Sequence, residues 1–305
     1  MDDKLLRLMI PKGNIRIQAV ILQETWKKIR DRHPLLDAAP LGLLGEMSAA
    51  SALLSASLKY EGSVTLQIHG DGPVRLAVAE CNAEQGIRAT IDLAQEESEP
   101  SSMASETRGL REMVNQSGLG RFSLILDPKQ PNQQPYQGIV SFTGESLADA
   151  IESYMSQSEQ LPSRLWLFCD GERAAGLLLQ QMPDTEEEAW QTACMLATTV
   201  EPQEMLKEPL QDVLHKLFWE MSARLLEERT PRFECPCTRA RVGRMLNTLG
   251  IEEVESILQE QGEVEVRCNF CNWAYRFDAV DCARLFNDPL GVAEQTTRPG
   301  PTTRQ

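Results

Sequence analysis

The segment that decides the fold of the C-terminal part of the chain reads Cys235-Pro236-Cys237, thirty further residues, and then Cys268-Asn269-Phe270-Cys271. The second pair has the Cys-x-x-Cys spacing of many zinc sites. The first pair is tighter, but residues two apart in an extended chain point to the same side, so both sulfurs can still reach one ion. Structural zinc takes four ligands tetrahedrally, and thiolates suit it. The sequence therefore predicts one Zn²⁺ bound by all four cysteines.

The zinc ion is expected to stabilise the unit that contains it, residues 231–287. A segment of about 55 residues buries little apolar surface and needs a further source of stability. Structural zinc contributes roughly 10–16 kcal/mol in small peptides, and this is folding energy. Two interpretations remain open from the spacing: a permanent structural zinc module, or a thiol switch in which oxidants attack the thiolates. Spacing alone favours the permanent module.

The N-terminal residues 1–182 are predicted to form an α+β domain around an antiparallel or mixed sheet. Apolar and polar residues alternate at 15–19, 64–68 and 74–78, as on strands, and the turn sequence at 70–73 predicts a hairpin. Further strands are predicted at residues 87–93, 121–126, 136–142, 164–169 and 174–181. Helices are predicted at residues 24–32, 41–58 and 146–157.

A helical connector is predicted at residues 183–230, where we find no strand signal. One helix is predicted at 185–199. A second is predicted from apolar residues that recur at helical spacing, namely Leu210, Val213, Leu214, Leu217, Phe218, Met221 and Leu225. These helices either cap the large domain or form a mobile connector whose apolar stripe can be uncovered, and composition favours the first interpretation.

The remaining segments are the zinc-binding unit and a tail. Within residues 231–287, helices are predicted at 238–248 and 251–260, and short strands at 263–267 and 273–277. The end of the chain, residues 288–305, is rich in Pro, Gly and Thr and is predicted to be a flexible tail.

Composition limits the class of protein. The net charge of −15 repels nucleic-acid phosphate and argues against a general DNA or RNA binder. No apolar stretch reaches the roughly 18 residues of a membrane span, and the most apolar segment, 41–58, is predicted to be a packed core helix. Residues 1–10 lack the pattern of a secretory signal. Clustered rather than dispersed cysteines indicate metal or redox chemistry, so we expect a cytoplasmic protein without membrane or nucleic-acid partners.

Several segments along nearly the whole chain form a recognisable set. The C-terminal segments are the two cysteine pairs and residues 252–258, Glu-Glu-Val-Glu-Ser-Ile-Leu. The N-terminal and central segments are residues 53–59, 67–73, 136–138, 158–164 and 182–183. Together these segments resemble the heat-shock protein 33 family of redox-regulated chaperones. The set is specific, whereas a Cys-x-Cys with a Cys-x-x-Cys alone would not be.

The resemblance implies a mechanism that the spacing only permits. The reduced protein would hold zinc and be inactive. Peroxide or hypochlorite, under unfolding conditions, would form the disulfides Cys235–Cys237 and Cys268–Cys271, with loss of zinc and unfolding of the C-terminal unit. Apolar surface would then bind unfolding client proteins without ATP, often in a homodimer. We place this surface on Leu210, Leu214, Leu217, Phe218 and Met221.

The other cysteines and the alternative functions are weaker candidates. Cys282 lies outside the matched motif and is interpreted as a buried thiol, and Cys81, Cys169 and Cys194 as core or inert thiols. We find no catalytic constellation and expect no enzyme. A zinc-module adaptor would need a basic face, but residues 231–287 hold seven Arg against nine acidic residues. A thiol–disulfide oxidoreductase would continue its Cys-x-x-Cys as a helix, whereas residues 273–277 read as strand.

Overall fold

The computed structural model describes residues 2–57, 62–94, 109–129, 134–142 and 144–287, so the predicted tail at 288–305 lies outside the described residues. The chain forms two compact units, Met1–Glu234 and Cys235–Gln305. The elements of the first are β1 Lys4–Ile10, β2 Ile15–Leu22, α1 Glu24–Arg30, α2 Ala38–Ser57, β3 Gly62–His69, β4 Val74–Asn82, β5 Gly86–Leu93, α3 Leu110–Val114, β6 Arg121–Pro128, β7 Tyr136–Ser141, α4 Leu147–Gln157, β8 Ser163–Cys169, β9 Ala174–Gln181, α5 Glu187–Thr198, α6 Pro202–Lys207, α7 Leu210–Phe218, β10 Arg224–Arg229 and β11 Arg232–Phe233.

Two sheets build the first unit. One has five antiparallel strands in the order β10-β1-β2-β9-β8. The other has the order β11-β5-β4-β3-β6-β7, and all of its pairs are antiparallel except the parallel pair of β11 with β5. The hairpin predicted from residues 64–78 is the pair β3–β4. The predicted α+β class, with a mixed sheet, is confirmed.

Helix α2 lies between the two sheets and contacts strands of both. Its length and apolar composition would suit a membrane span, but 67% of that stretch is buried inside the protein. Its small residues, such as Ala49, Ala50 and Ala52, allow close approach of strands on either side. The core helix predicted at residues 41–58 is therefore confirmed.

The first sheet separates two apolar clusters. We call them the first core, around α2, and the second core, under α5–α7. Alternate residues of β2 point to opposite sides. Val20 and Leu22 join the first core, and Ile17 and Ile21 join the second. The sheet is thus covered on both faces, and the connector helices supply the second cover.

The predicted connector at 183–230 departs from expectation at its end. The single helix predicted across residues 210–225 is wrong: α7 stops at Phe218, and Ser222 adopts a left-handed φ of 54°. The chain then forms β10, which pairs antiparallel with β1, so the absence of a strand was also a wrong prediction. Leu225 is 51% exposed on this strand. At the free edge of β1, unpaired backbone N–H and C=O groups favour pairing with residues 224–229, and this pairing outweighs the helical spacing of the apolar residues.

Leu53→Ala tests the packing of the first core. Leu53 is fully buried, so its truncation should lower the free energy of unfolding by about 2–5 kcal/mol through lost contacts and a residual cavity. The same substitution at Leu35, which is 95% exposed, should change it by less than about 0.5 kcal/mol. Urea denaturation followed by far-UV circular dichroism measures both, and equal effects would contradict the packing described.

Glu46→Gln tests a carboxyl group on α2. Burial raises the pKa of Glu46 from 4.5 to about 7, so the folded protein binds this proton more tightly than the unfolded chain does. Stability is therefore lost as pH rises through that range. The amide should stabilise the fold by on the order of 2–3 kcal/mol near pH 8 but by under about 1 kcal/mol near pH 5. Glu220→Gln, at an exposed carboxyl, should show no such difference in thermal denaturation.

Candidate metal centre

The second unit is small and has a thin apolar interior. Its elements are α8 Arg239–Leu249, α9 Ile251–Gln261, β12 Val264–Arg267, β13 Ala274–Phe277 and α10 Ala279–Asn287. The strands β12 and β13 form an antiparallel pair. Within residues 235–287 the structure buries ten apolar or cysteine side chains: Cys235, Cys237, Ala240, Leu246, Val254, Val264, Tyr275, Phe277, Cys282 and Leu285.

The four predicted ligands come together in this unit. The Sγ atoms of Cys235, Cys237, Cys268 and Cys271 all lie within 4.8 Å of one another. Cys235 Sγ is 3.7 Å from Cys268 Sγ, and Cys237 Sγ is 3.2 Å from Cys271 Sγ. A tetrahedral zinc site with Zn–S bonds near 2.3 Å separates its sulfurs by about 3.8 Å. The donor set and its spacing therefore fit a tetrahedral ion of this size.

The backbone conformation of the turn between β12 and β13 orients the sulfurs of Cys268 and Cys271. Cys268 and Cys271 lie in the turn between β12 and β13, where the Asn272 N–H donates to the Cys268 carbonyl at 2.7 Å. Asn272 has a left-handed φ of 58°, and the Cys268 N–H donates to the Trp273 carbonyl at 3.0 Å. This tight turn brings the second pair of sulfurs to the same side.

The first pair is positioned by the start of α8. Cys235 and Cys237 follow β11 and are both buried. The hydroxyl of Thr238 accepts a hydrogen bond from the Arg241 N–H at 3.2 Å and caps α8. This cap fixes the point where the chain changes from extended to helical, immediately after the second cysteine.

The electrostatics of the cluster favour a cation among the sulfurs. The Cys271 thiol and the Cys237 backbone N–H donate to Cys235 and lower its pKa to about 4. The bond to Cys235 and burial raise the pKa of Cys271, and burial raises the pKa of Cys237. Ionisation of the Cys235 thiol therefore disfavours ionisation of the Cys237 and Cys271 thiols. Ionising all four so close together requires a positive ion between them.

Two supporting residues escaped the sequence analysis. The Tyr275 hydroxyl donates to Cys237 Sγ at 3.2 Å, an outer contact that orients the ligand. Arg239 holds the unit together: its guanidinium bonds Asp281 Oδ2 at 2.6 Å and lies 4.2 Å from the Phe277 ring centroid. Alternation in β13 could have indicated Tyr275 and Phe277, since residues two apart share a face.

The remaining four cysteines lie in different surroundings. Burial raises the pKa of Cys81 to about 12 and that of Cys194 to about 11. Burial likewise raises the pKa of Cys169 and of Cys282, which is buried on α10. Thiols held in the protonated form react slowly with oxidants. Their surroundings match the interpretation of core or inert thiols.

The residues predicted to bind clients lie in the second core of the first unit. Leu210, Leu214 and Phe218 are buried there, and Leu217 and Met221 are partly buried against it. They form the inner face of α7 and the turn after it, and they pack on strands such as β1 and β2. The stripe is covered in this structure, and its role with clients stays a prediction.

Comparison with known proteins places the chain in a family. A family model described as Hsp33 protein matches residues 3–278. The chain belongs to the Hsp33 family. It is 40% identical over 294 residues to the 33 kDa chaperonin of Methylobacillus flagellatus, covering 95% of this chain and 96% of that one. It is 39% identical over 302 residues to the 33 kDa chaperonin of Chromobacterium violaceum, covering 97% and 98%.

A solved structure agrees on the fold. The crystal structure of the 33 kDa chaperonin, heat shock protein 33 homolog, from Thermotoga maritima superposes with a TM-score of 0.76. It covers 95% of this chain and 100% of that one, at 21% identity, and so supports the fold alone. The family and its relatives are chaperonins, which agrees with the predicted resemblance. The strand β13 after Cys271, where an oxidoreductase would have a helix, also agrees with that assignment.

Cys268→Ser tests the metal centre. A divalent ion needs the fourth thiolate, so this variant should lose stoichiometric binding of Zn²⁺ and the intense thiolate absorption of substituted Co²⁺. The matched variant Cys282→Ser should keep one ion per chain, because Cys282 is not in the cluster. Elemental analysis and absorption spectroscopy of the reduced proteins measure both. Equal retention of the metal by the two variants would reject the site.

Proposed function

We propose that the protein is a redox-regulated, ATP-independent holdase chaperone. In the reduced form Cys235, Cys237, Cys268 and Cys271 hold one Zn²⁺, and the apolar stripe of α7 stays covered. Oxidation of the four cysteines unfolds the second unit and leads to exposure of that stripe, which then binds unfolding proteins. The observation that carries the proposal is the convergence of four sulfurs within 4.8 Å in a unit with a small apolar interior.

The ion would act as a structural cross-link between the two halves of the second unit. The first pair begins the unit, and the second pair follows α8, α9 and β12 and precedes β13 and α10. Ten buried side chains give limited hydrophobic stabilisation to a segment of this length. The thiolates therefore supply the contacts that would hold α8 and the β12–β13 turn together.

The oxidation step balances with peroxide as the oxidant. Four thiolates lose four electrons and form two S–S bonds. Two molecules of peroxide gain these electrons and, with four protons, become four molecules of water. The sulfurs in a disulfide no longer carry the charge that binds a cation, so the site loses all four ligands.

We place the disulfides within each pair, Cys235–Cys237 and Cys268–Cys271, as the family resemblance implies. In the reduced fold each of the shortest sulfur distances given above joins one cysteine of each pair. In an unfolded chain, however, closing a loop of a few residues costs less entropy than closing one of about thirty. This difference supports the pairing within each motif that the resemblance implies.

Chain connectivity offers a route from the second unit to the connector. β11 ends at Phe233, just before Cys235, and β10 precedes it. Both strands lie at the edges of their sheets. Edge strands lose fewer hydrogen bonds on leaving a sheet than central ones. Unfolding after Cys235 would therefore loosen β11 first, then β10, and then the α5–α7 cover of the second core.

The proposed partners are unfolding proteins, with a homodimer as the active oxidised form. The stripe Leu210, Leu214, Leu217, Phe218 and Met221 would supply apolar contact. The net charge of −15 would keep complexes soluble. We propose a cytoplasmic location, where thiols rest in the reduced form, and no nucleic-acid or membrane partner.

Peroxide treatment at elevated temperature tests the proposal. The reduced, zinc-loaded protein should lose four thiols and its zinc, and only then suppress aggregation of a heat-denatured client. Mass spectrometry should find the two disulfides within the pairs and leave Cys81 and Cys169, which pack in the first core, reduced, because burial there keeps them protonated. Loss of thiols and zinc without any effect on aggregation would reject the holdase. Catalytic reduction of insulin would instead support an oxidoreductase.

A double variant tests the position of the client surface. Leu217→Ser with Met221→Ser removes two side chains that are only partly buried, so the reduced fold should persist. About tenfold more of the oxidised variant should be needed for equal protection, if each side chain contributes roughly 0.7 kcal/mol to binding. The matched pair Leu35→Ser with Met245→Ser, at exposed positions, should protect like the parent. If the two double variants protect the client equally well, the client-binding surface does not include Leu217 and Met221.

A further inference from the structure

A cavity of about 170 Å³ lies in the first unit, apart from the metal centre. Its apolar wall comes from α2, α4 and strands β3 and β6 of the second sheet, and includes Leu54, Val64, Leu124 and Met155. One charged guanidinium, that of Arg16 on β2, also lines it. Such a mixture of apolar wall and one buried charge is typical of a small-molecule site.

Arg16 is fixed in place by a buried amide. It is only 4% exposed, and its Nε and Nη2 donate to Gln180 Oε1 at 3.1 and 2.8 Å. Gln180 lies opposite Arg16 in the β2–β9 register, and its own Nε2 donates to Ser163 Oγ at 3.3 Å. The amide is thereby oriented with its oxygen toward the guanidinium. The pairing of β2 with β9 therefore fixes the position of the Arg16 guanidinium, which does not have the freedom of an exposed surface side chain.

In the part of the chain that the structure describes, no carboxylate lies within ion-pair distance of the Arg16 guanidinium, and its Nη1 donates no hydrogen bond. Burying a cation that forms no ion pair costs free energy that an anionic acceptor would recover.

We propose that this cavity binds a small organic carboxylate whose compact apolar body fills the Leu54–Leu124 side while its carboxylate meets Arg16. A guanidinium presents paired N–H donors that match the two oxygens of a carboxylate. Cavities of about 150 Å³ with apolar walls accept a benzene-sized molecule, so a cavity of this volume suits a ring or a short chain. This site is independent of the proposed chaperone activity.

One residue that lines the cavity carries a negative charge, which should weaken the binding of an anion and so provides a further test. Glu159 also lines the cavity, but it is exposed, and its Oε1 accepts from the Tyr154 hydroxyl at 2.9 Å. Its charge is therefore held by Tyr154 and screened by solvent. Neutralising Glu159 should strengthen binding of a carboxylate, whereas neutralising Arg16 should weaken it. If carboxylate binding did not depend on these two charges, the two substitutions would not change the affinity in opposite directions.

Calorimetric titration of the reduced, zinc-loaded full chain tests the proposal with benzoate and, as a neutral ligand of similar size, benzyl alcohol. We expect saturable benzoate binding at least about tenfold tighter than that of the alcohol. Arg16→Met should remove this preference, and Glu159→Gln should increase benzoate affinity about two- to threefold. Arg224→Met, at an exposed arginine on β10, is the matched control and should bind like the parent.

A second variant keeps Arg16 and closes the space. Leu126→Phe adds a ring at the wall of the cavity and should abolish binding of both ligands. It decides the outcome if Arg16→Met is found unfolded by circular dichroism. The proposal is overturned if benzoate does not saturate the parent, if acid and alcohol bind equally, or if benzoate binding survives Leu126→Phe.

Discussion

Crowding of four sulfur atoms is the constraint on which the second unit depends. Four ionised thiols within 4.8 Å of one another repel strongly, and the thin apolar interior around them cannot offset that repulsion. A cation that neutralises the thiolates therefore also stabilises the fold. Under the proposed function the same atoms would carry charge, metal affinity and chemical reactivity, so a reaction at sulfur would change the stability of the whole unit. Few other arrangements couple redox chemistry to folding so directly.

The first unit has the opposite property, since its stability does not rest on the cysteines. Helix α2 fills the space between two sheets, and β2 is buried on both sides. The cover over the second core, α5–α7, is a separable layer because it contacts one face of one sheet. Loss of that layer would leave α2 and the second sheet packed. A protein can then expose apolar surface by local unfolding without losing its core.

Sequence patterns predicted what is local and missed what depends on distant partners. The two cysteine pairs and the β3–β4 hairpin follow from spacing within short segments, so the grouping of the four sulfurs and the hairpin were both predictable. β1 was not predicted, because its sequence carries apolar residues on both faces (Leu6, Leu8 and Ile10 on one, Leu5 and Met9 on the other) and so lacks a clear alternation. β10 is polar and exposed, and becomes a strand only through pairing with β1, as in the pair Leu5–Arg229. The contact of Arg239 with Phe277 was likewise not predictable, because it depends on how the fold brings α8 and β13 together.

Arg16 shows the same limit for a buried charge. Alternation at residues 15–19 predicts a strand with two unlike faces, but it does not say whether the polar face meets water. Here the second sheet and α2 cover it, and Arg16 is left beside Gln180 from a strand more than 160 residues away. The cysteine cluster would concentrate negative charge once its thiols ionise, and the cavity holds a buried positive charge. In neither place do the residues that the structure describes neutralise that charge, and such an imbalance favours a bound ion or ligand.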